Sequence, residues 1–131
     1  KIHAGNLAAQ PGVKLKVVAG QKFIGFEPDI PTRKALDKIF KDYGVEVKTV
    51  MEFDNIETVK RAVEIDAGIS IVPQGTITQE VAKQTLVGLP IEDADCFRTL
   101  AAIYKKGKVL SPAMKQFINI IKEGGGKTAA A

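Results

Sequence analysis

The hydrophobic and polar positions of the chain follow two alternating patterns. Short runs rich in β-branched and aromatic residues predict strands, at residues 23–26, 45–53, 69–72, 86–89 and 97–104. Between them the apolar residues recur at helical spacing, which predicts amphipathic helices, at residues 31–43, 54–67, 76–83 and 112–123. Strands that alternate with helices are typical of a parallel sheet covered on both faces. The pattern therefore predicts an α/β fold with a mainly parallel sheet flanked by helices.

Local sequence signals mark the boundaries of the predicted helices. Pro31 suits the first turn of a helix, and Gly44 suits the position just after its end. Asp54, followed three residues later by a glutamate, has the spacing of a capping box, and a similar pattern begins at Thr76. Ser111, directly before a proline, predicts the start of the last helix.

The composition is that of one compact globular domain. The chain has 131 residues, of which 45% are hydrophobic and 26% are charged, as in ordinary globular proteins. Its single cysteine, Cys96, excludes both a disulfide scaffold and a cysteine-based zinc site. No uninterrupted apolar run is long enough to span a membrane.

The net charge of +4 comes from the two ends of the chain. Residues 1–22 contain four lysines and no acid, and residues 105–131 contain six lysines and one glutamate. Residues 23–98, by contrast, contain nine basic and fourteen acidic side chains. No arginine-rich run with interleaved aromatic residues is present, so the chain lacks the pattern of a dedicated nucleic-acid surface.

The sequence offers little for catalysis. Its one histidine, His3, lies in a polar segment, and neither Ser70 nor Ser111 has a histidine near it in the sequence. The acidic neighbours of Cys96 should raise the pKa of its thiol, which argues against a role as a nucleophile. Cys96 is therefore interpreted as a partly buried residue without a catalytic role. The acidic connector over residues 91–96 is interpreted as a solvated turn rather than a cation site. We therefore expect no enzyme, no cofactor and no metal.

Ligands of parallel α/β sheets bind beyond the carboxyl ends of the strands, often at helix N-termini. Three strand-to-helix corners are therefore candidate ligand-binding regions, over residues 27–33, 53–58 and 73–78. In the alternative interpretation, the polar residues of these corners only cap their own helices; they are Asp54, Asn55, Thr76 and Thr78. The joint position of the three corners at one edge favours a ligand site.

The order of several motifs resembles the effector-binding domain of LysR-type transcriptional regulators. The motifs include Thr32-Arg33 after the first strand, and Asp66-Ala67-Gly68 where the family usually has a paired-glycine turn. The remaining segments that carry the resemblance are residues 15–24, 52–63, 69–73, 86–90, 98–100, 105–107, 110–113 and 117–118. Each motif is weak by itself, but the ordered set spans nearly the whole chain.

The resemblance implies a fold of the type II periplasmic-binding-protein kind, in which two Rossmann-like or flavodoxin-like lobes enclose a ligand cleft. Residues 1–19 would form a hinge segment, and residues 20–90 the second lobe. Residues 91–123 would supply a return strand and a terminal helix that normally belong to the first lobe, before a flexible tail over residues 124–131. The rest of the first lobe and the winged helix-turn-helix are not represented in this sequence.

The resemblance also implies where the effector binds. The residues expected to line the second lobe's share of the cleft are Glu27, Asp29, Thr32, Phe53, Asn55, Thr58, Pro73 and Gln74. Arg33 is expected along a helix surface, where it has the option of pairing with an effector carboxylate. The expected effector is a small anion or organic acid, and its affinity for half a cleft should be weak. Effector binding would close the lobes and change the DNA-bending geometry of a tetramer.

The partners that follow from the resemblance are a small-molecule effector, other copies of the chain, and DNA only through the helix-turn-helix. Such a regulator would be cytoplasmic, with no membrane contact. Phe117, Ile118 and Ile121 would either fold back onto the second lobe or contact another copy, and we favour the second arrangement. The alternative function is that of a lobe of a solute-binding protein in a transport system, and an enzyme subdomain is the third.

Overall fold

The computed structural model of the protein describes residues 9–96 and 103–124. His3, most of the predicted strand over residues 97–104, and the tail after Gly124 lie outside this range. The strands are β1 (Lys22–Phe26) and β2 (Lys48–Phe53). The α-helices are α1 (Pro31–Tyr43), α2 (Ile56–Glu64), α3 (Thr78–Ala82) and α4 (Pro112–Gly124), and short 3-10 helices span Leu15–Val18 and Gln74–Thr76.

Among the described residues, the sheet consists of two parallel strands, β1 and β2. β1 and β2 pair from Lys22 opposite Lys48 to Phe26 opposite Phe53, with an irregularity after Phe23. On the other side of β1, Ile69 forms a parallel bridge with Phe23. The segment over residues 69–72 was predicted to be a full strand, and this prediction is wrong, because its pairing with β1 is confined to that one bridge.

The predicted strand over residues 86–89 is also absent. This segment forms no strand, although Ile91, just beyond it, makes an isolated parallel bridge with Val13. The bridge is held by hydrogen bonds from the Val13 amide to the Pro90 carbonyl, 2.9 Å, and from the Glu92 amide to the Val13 carbonyl, 3.0 Å. An apolar run by itself does not make a strand, because the ladder needs a partner along its length.

Hydrophobic cores lie on both faces of β1, as expected for a strand whose side chains alternate. Phe23 packs into one core, where its ring meets that of Phe40 edge to face at a centroid distance of 5.6 Å. Ile24 and Phe26 point into the other core with Val59 of α2. Since α1 covers one face and α2 the other, the predicted fold class of a parallel sheet flanked by helices is confirmed.

The boundaries of α1 follow its local sequence signals. Pro31 is its first residue, where the missing N–H is no loss. Gly44 ends it with a left-handed backbone, φ 62°, which glycine adopts without strain. The chain then turns so that the amide of Val45 donates to the Phe40 carbonyl at 2.9 Å, and Val45 becomes buried.

The capping predictions for the next two helices are wrong by one or two residues. Asn55, not Asp54, caps α2, and the helix ends at Glu64, before the predicted end at residue 67. Thr76 belongs to the 3-10 helix, and its hydroxyl donates to the Pro73 carbonyl at 2.6 Å rather than capping α3. α3 begins at Thr78 with no side-chain cap.

The chain divides into two compact units, with the boundary between residues 96 and 97. The sheet and α1 to α3 belong to the first unit, and α4 belongs to the second. Ser111 starts α4 as predicted, because its Oγ accepts the Met114 amide at 3.3 Å. Phe117 and Ile120 of α4 are 63% and 57% exposed. No helix in the described ranges is long and apolar enough to cross a membrane.

Candidate functional site

The carboxyl ends of the strands meet at one edge of the sheet, as predicted. The Glu27 amide, just after β1, donates to the carbonyl of Phe53 at the end of β2, 3.0 Å. Val72, directly before the third corner, packs against the core that contains Phe26. The corners after β1, after β2 and after residue 72 therefore lie close to one another. We call this region the carboxyl edge, with the eight predicted residues as its members.

The first corner presents backbone donors and exposed carboxylates. Glu27 and Asp29 are exposed, and the chain turns back with a hydrogen bond from the Ile30 amide to the Glu27 carbonyl, 3.1 Å. Ile30 occupies the N-cap position of α1, and no side chain caps the helix there. The first N–H groups of a helix have no intrahelical partner. The amides around Thr32 are therefore donors in a region of partial positive charge.

Arg33 has a structural role that its position in the sequence did not reveal. Its Nη1 donates to the Phe26 carbonyl at 2.8 Å and to the carboxylate of Glu52, while its Nε donates to Asp37 at 2.8 Å. Hydrogen bonds to Glu52 and then to Asp37 raise the pKa of the guanidinium. Arg33 thus joins β1, β2 and α1. The pairing with an effector carboxylate considered from the sequence conflicts with this, because two protein carboxylates already neutralise the guanidinium.

The second corner is organised around the N-cap of α2. Asn55 Oδ1 accepts both the amide and the hydroxyl of Thr58, each at 2.9 Å. Asn55 Nδ2 donates to Asp54 at 2.7 Å. The capping interpretation therefore holds for Asn55. The second amide hydrogen of Asn55 and the acceptor lone pairs of the Thr58 hydroxyl make no hydrogen bond to the described residues, and the ring of Phe53 is half-buried.

The third corner leads from the segment over residues 69–72 into the 3-10 helix over Gln74–Thr76. Pro73 precedes the 3-10 helix in an extended conformation, φ −60° and ψ 130°, and is partly buried. Gln74 opens that helix and is exposed. Its amide offers both a donor and an acceptor, whereas Thr76 is directed to the Pro73 carbonyl. Of the polar pair at 74 and 76, Gln74 is thus the one available at the carboxyl edge.

The acidic connector and Cys96 lie away from the carboxyl edge. Asp93 Oδ1 accepts the Leu15 amide at 2.7 Å, so this carboxylate holds the start of a 3-10 helix. Cys96 is buried, and burial, followed by the charges of Asp95 and Asp93, raises the pKa of its thiol. The predicted direction for Cys96 is confirmed. Within residues 9–96 and 103–124, no cluster of acidic, cysteine or histidine side chains is arranged to hold a metal.

A buried lysine next to the second corner was missed by the sequence interpretation. Lys60 of α2 is only 7% exposed. Its Nζ donates to the Thr76 carbonyl at 3.1 Å and forms ion pairs with Glu57 and Glu80, both at 2.8 Å. The hydrogen bond to Glu57, then that to Glu80, raises the pKa of Lys60. The spacing of Glu57 and Lys60 was visible in the sequence, but the contact with Glu80 depends on the tertiary fold.

A comparison with protein-family models identifies the family of this chain. The LysR substrate binding domain family matches residues 2–126. The chain belongs to this family. The LysR resemblance predicted from the ordered motifs is therefore confirmed.

Curated relatives of this LysR-family chain are transcriptional regulators. The RuBisCO operon transcriptional regulators of Acidithiobacillus ferrooxidans and Allochromatium vinosum are 37% and 32% identical, over 76% and 85% of this chain. The HTH-type transcriptional regulator CbbR of Rhodospirillum rubrum is 30% identical over 80% of the chain. The matches span 32%, 37% and 35% of those proteins, so this chain corresponds to about a third of their length.

A solved structure supports the fold of this LysR substrate-binding domain. The regulatory domain of Synechocystis PCC6803 CcmR, determined in complex with 2-PG, superimposes with a TM-score of 0.69. The superposition covers 93% of this chain and 58% of the other, at 24% sequence identity. At this identity the likeness establishes the α/β fold of the regulatory domain.

Proposed function

We propose that the chain is the effector-sensing part of a LysR-type DNA-binding transcriptional regulator and that its carboxyl edge binds a small anion or organic acid. The observation that carries the proposal is the uncapped N-terminus of α1, which opens on the edge where the strand ends meet. Its free N–H groups and the helix dipole favour a negative ligand. The relatives named as transcriptional regulators support the regulatory role.

The ligand contacts would be hydrogen bonds from neutral groups. Thr32, Thr58 and Gln74 provide hydroxyl and amide groups around the α1 N-terminus, and Phe53 provides an apolar wall. Glu27 and Asp29 add negative charge at the rim, which selects against large polyanions. The neighbouring CcmR domain, whose structure was determined with 2-PG, supports a small anionic effector of this kind.

The proposed effector is bound and released unchanged. Binding would shift the equilibrium between open and closed arrangements of two lobes, and an oligomer of the regulator would transmit that shift to DNA. DNA contact is assigned to a winged helix-turn-helix outside this sequence. These steps are proposals for the intact regulator, of which this chain represents one part.

An amide NMR titration of the 131-residue chain tests the effector site. With 2-PG as the probe, we expect shifts at Thr32, Asn55 and Gln74 with affinity in the millimolar range, because only one lobe's contacts are present. Gln74→Ala should weaken binding several-fold. Gln79→Ala, which removes an exposed glutamine of α3, is the matched control and should leave the affinity unchanged.

Two results would contradict the proposal. One is a titration in which the amides of the carboxyl edge stay unmoved up to the solubility of 2-PG and of a small dicarboxylate such as malonate. The other is micromolar binding by the chain alone, which would show that the second lobe does not need a partner lobe to form the site.

A further inference from the structure

A cavity of about 310 Å³ lies in the first unit, apart from the carboxyl edge. It is partly open to solvent and is lined by α2, by residues just before β1 and by the segments over residues 69–72 and 85–91. None of the eight predicted effector residues lines it. Its volume is at the lower end of the range of small-molecule sites, about 300–1,000 Å³. Two segments that were predicted to be strands, residues 69–72 and 86–89, line this cavity.

The walls of the cavity are mostly aliphatic. They include Val59 and Val63 of α2, Ile71, and Leu86 and Leu89 of the last segment. A ligand that fills such a space is stabilised mainly by removal of hydrocarbon from water. The occupant is therefore expected to be largely apolar.

Neither of the two charged groups at the cavity favours an ionic ligand. Lys60 lines it, but the three N–H donors of its ammonium group already face three acceptors, on Thr76, Glu57 and Glu80. Asp66 also lines the cavity and is exposed. An anion would meet the Asp66 carboxylate without a free cation to offset it. A cation would gain little from Asp66, because water solvates this carboxylate.

One lining residue carries a polar atom without a partner. The Ser70 hydroxyl is buried and makes no hydrogen bond among the residues that the structure describes. The other lining hydroxyl, on Thr85, donates to Glu64 at 2.7 Å. A buried hydroxyl without a partner is costly. The Ser70 oxygen does not itself form part of the accessible cavity wall, so rotation of this short side chain would bring it to a ligand with one hydrogen-bonding group.

From this complementarity we propose that the cavity is a second ligand site, which takes a small, uncharged, mainly apolar molecule with a single hydroxyl or carbonyl group. Ser70 supplies the one polar contact, and the valines and leucines supply the rest. This site is separate from the anion site at the carboxyl edge. It lies against the same helix, α2, whose N-terminus forms part of that edge.

Methyl and amide NMR titrations of the whole chain test the site with four probes that share one aromatic ring. Benzyl alcohol should bind and shift the methyl signals of Val63 and Leu86. Phenylacetate and benzylamine should bind more weakly by roughly ten-fold or more, because each would bury a charge. Ser70→Ala should weaken benzyl alcohol binding about five-fold, the value of one hydrogen bond, and should leave toluene binding unchanged.

A cavity-filling variant provides a second test of the cavity site. Val63→Phe should abolish binding of benzyl alcohol, while Val50→Phe, an exposed valine on β2, is the matched control and should bind normally. The Ser70→Ala comparison stands even if Val63→Phe fails to fold. The proposal is overturned if the probes move only exposed residues such as Phe117, or if phenylacetate or benzylamine equals benzyl alcohol. Shifts confined to Thr32 and Asn55 would instead reflect the carboxyl edge.

Discussion

At the scale of single residues, charged side chains join the elements by pairing with one another within the protein. Arg33 connects β1, β2 and α1 through Glu52, Asp37 and the Phe26 carbonyl. Lys60 connects α2 to Glu80 of α3. Long-range contacts of this kind leave no periodic signal in the sequence, because each partner alone looks like an ordinary surface charge. The sequence alone therefore predicts a surface position for Arg33 and gives no signal for Lys60.

Glu80→Gln should lower the melting temperature by several degrees, because it leaves the nearly buried Lys60 without its least exposed partner. Glu57→Gln should have a smaller effect, since Glu57 is exposed. Thermal unfolding followed by circular dichroism measures both. Equal effects of the two variants would show that Glu80 is not the dominant partner.

The stability contributed by the ion pair of Lys60 and Glu80 should depend on pH in a definite direction. Hydrogen bonding to Lys60 lowers the pKa of Glu80. The stabilisation of the fold by ionised Glu80 is therefore complete above the ordinary glutamate pKa and is lost as the pH falls through the lowered value. The pKa of Lys60 is raised, so its contribution is lost only as the pH rises through that raised value. The difference in melting temperature between the wild type and Glu80→Gln should be largest near neutral pH. A difference that grows in acid would contradict this account.

At the scale of elements, local signals predicted some features and tertiary pairing decided others. α1 was correctly bounded because Pro31 and Gly44 act within a few residues of the chain. The segment over residues 69–72 is apolar and β-branched, but whether it forms a strand depends on a partner that is distant in the sequence. Asp54 and Asn55 are both good N-caps, and the burial of Val59 and Ala62 against β1 fixes the helix register that selects Asn55.

Asn55→Ala should cost about 1 kcal/mol of unfolding free energy, because the Thr58 amide loses its acceptor. Asp54→Ala, at the residue that the sequence pattern suggested as the cap, should cost much less. Asn55→Asp, which keeps an acceptor at the same position, should retain most of the stability. Urea titrations of the three variants decide between the two caps, and a larger loss for Asp54→Ala would overturn the structural assignment.

At the scale of the whole molecule, the family assignment and the sheet edge were predictable from the sequence, but the cavity was not. The three corners follow from the rule that parallel strands end at one edge. The cavity is lined by segments that the sequence predicted to be strands, and no periodic pattern in the sequence indicates a space between elements.

We expect the chain to self-associate through α4, because Phe117 and Ile120 are more than half exposed and apolar surface favours burial against another copy. Light scattering over a rising concentration series should show an increasing mean mass. Phe117→Asp should suppress the increase, whereas Lys115→Asp on the same helix should change it little. A monomeric mass at the highest concentration would contradict the expectation.

The pairing of Arg33 with Glu52 and Asp37 also determines how ionic strength should act on the proposed anion site. A site built on a free arginine loses affinity as salt is added, because counterions screen the attraction. Here the guanidinium is already neutralised, and the exposed carboxylates of Glu27 and Asp29 repel an incoming anion. Added salt screens that repulsion, so the affinity for a small anion should stay level or rise between dilute buffer and physiological ionic strength.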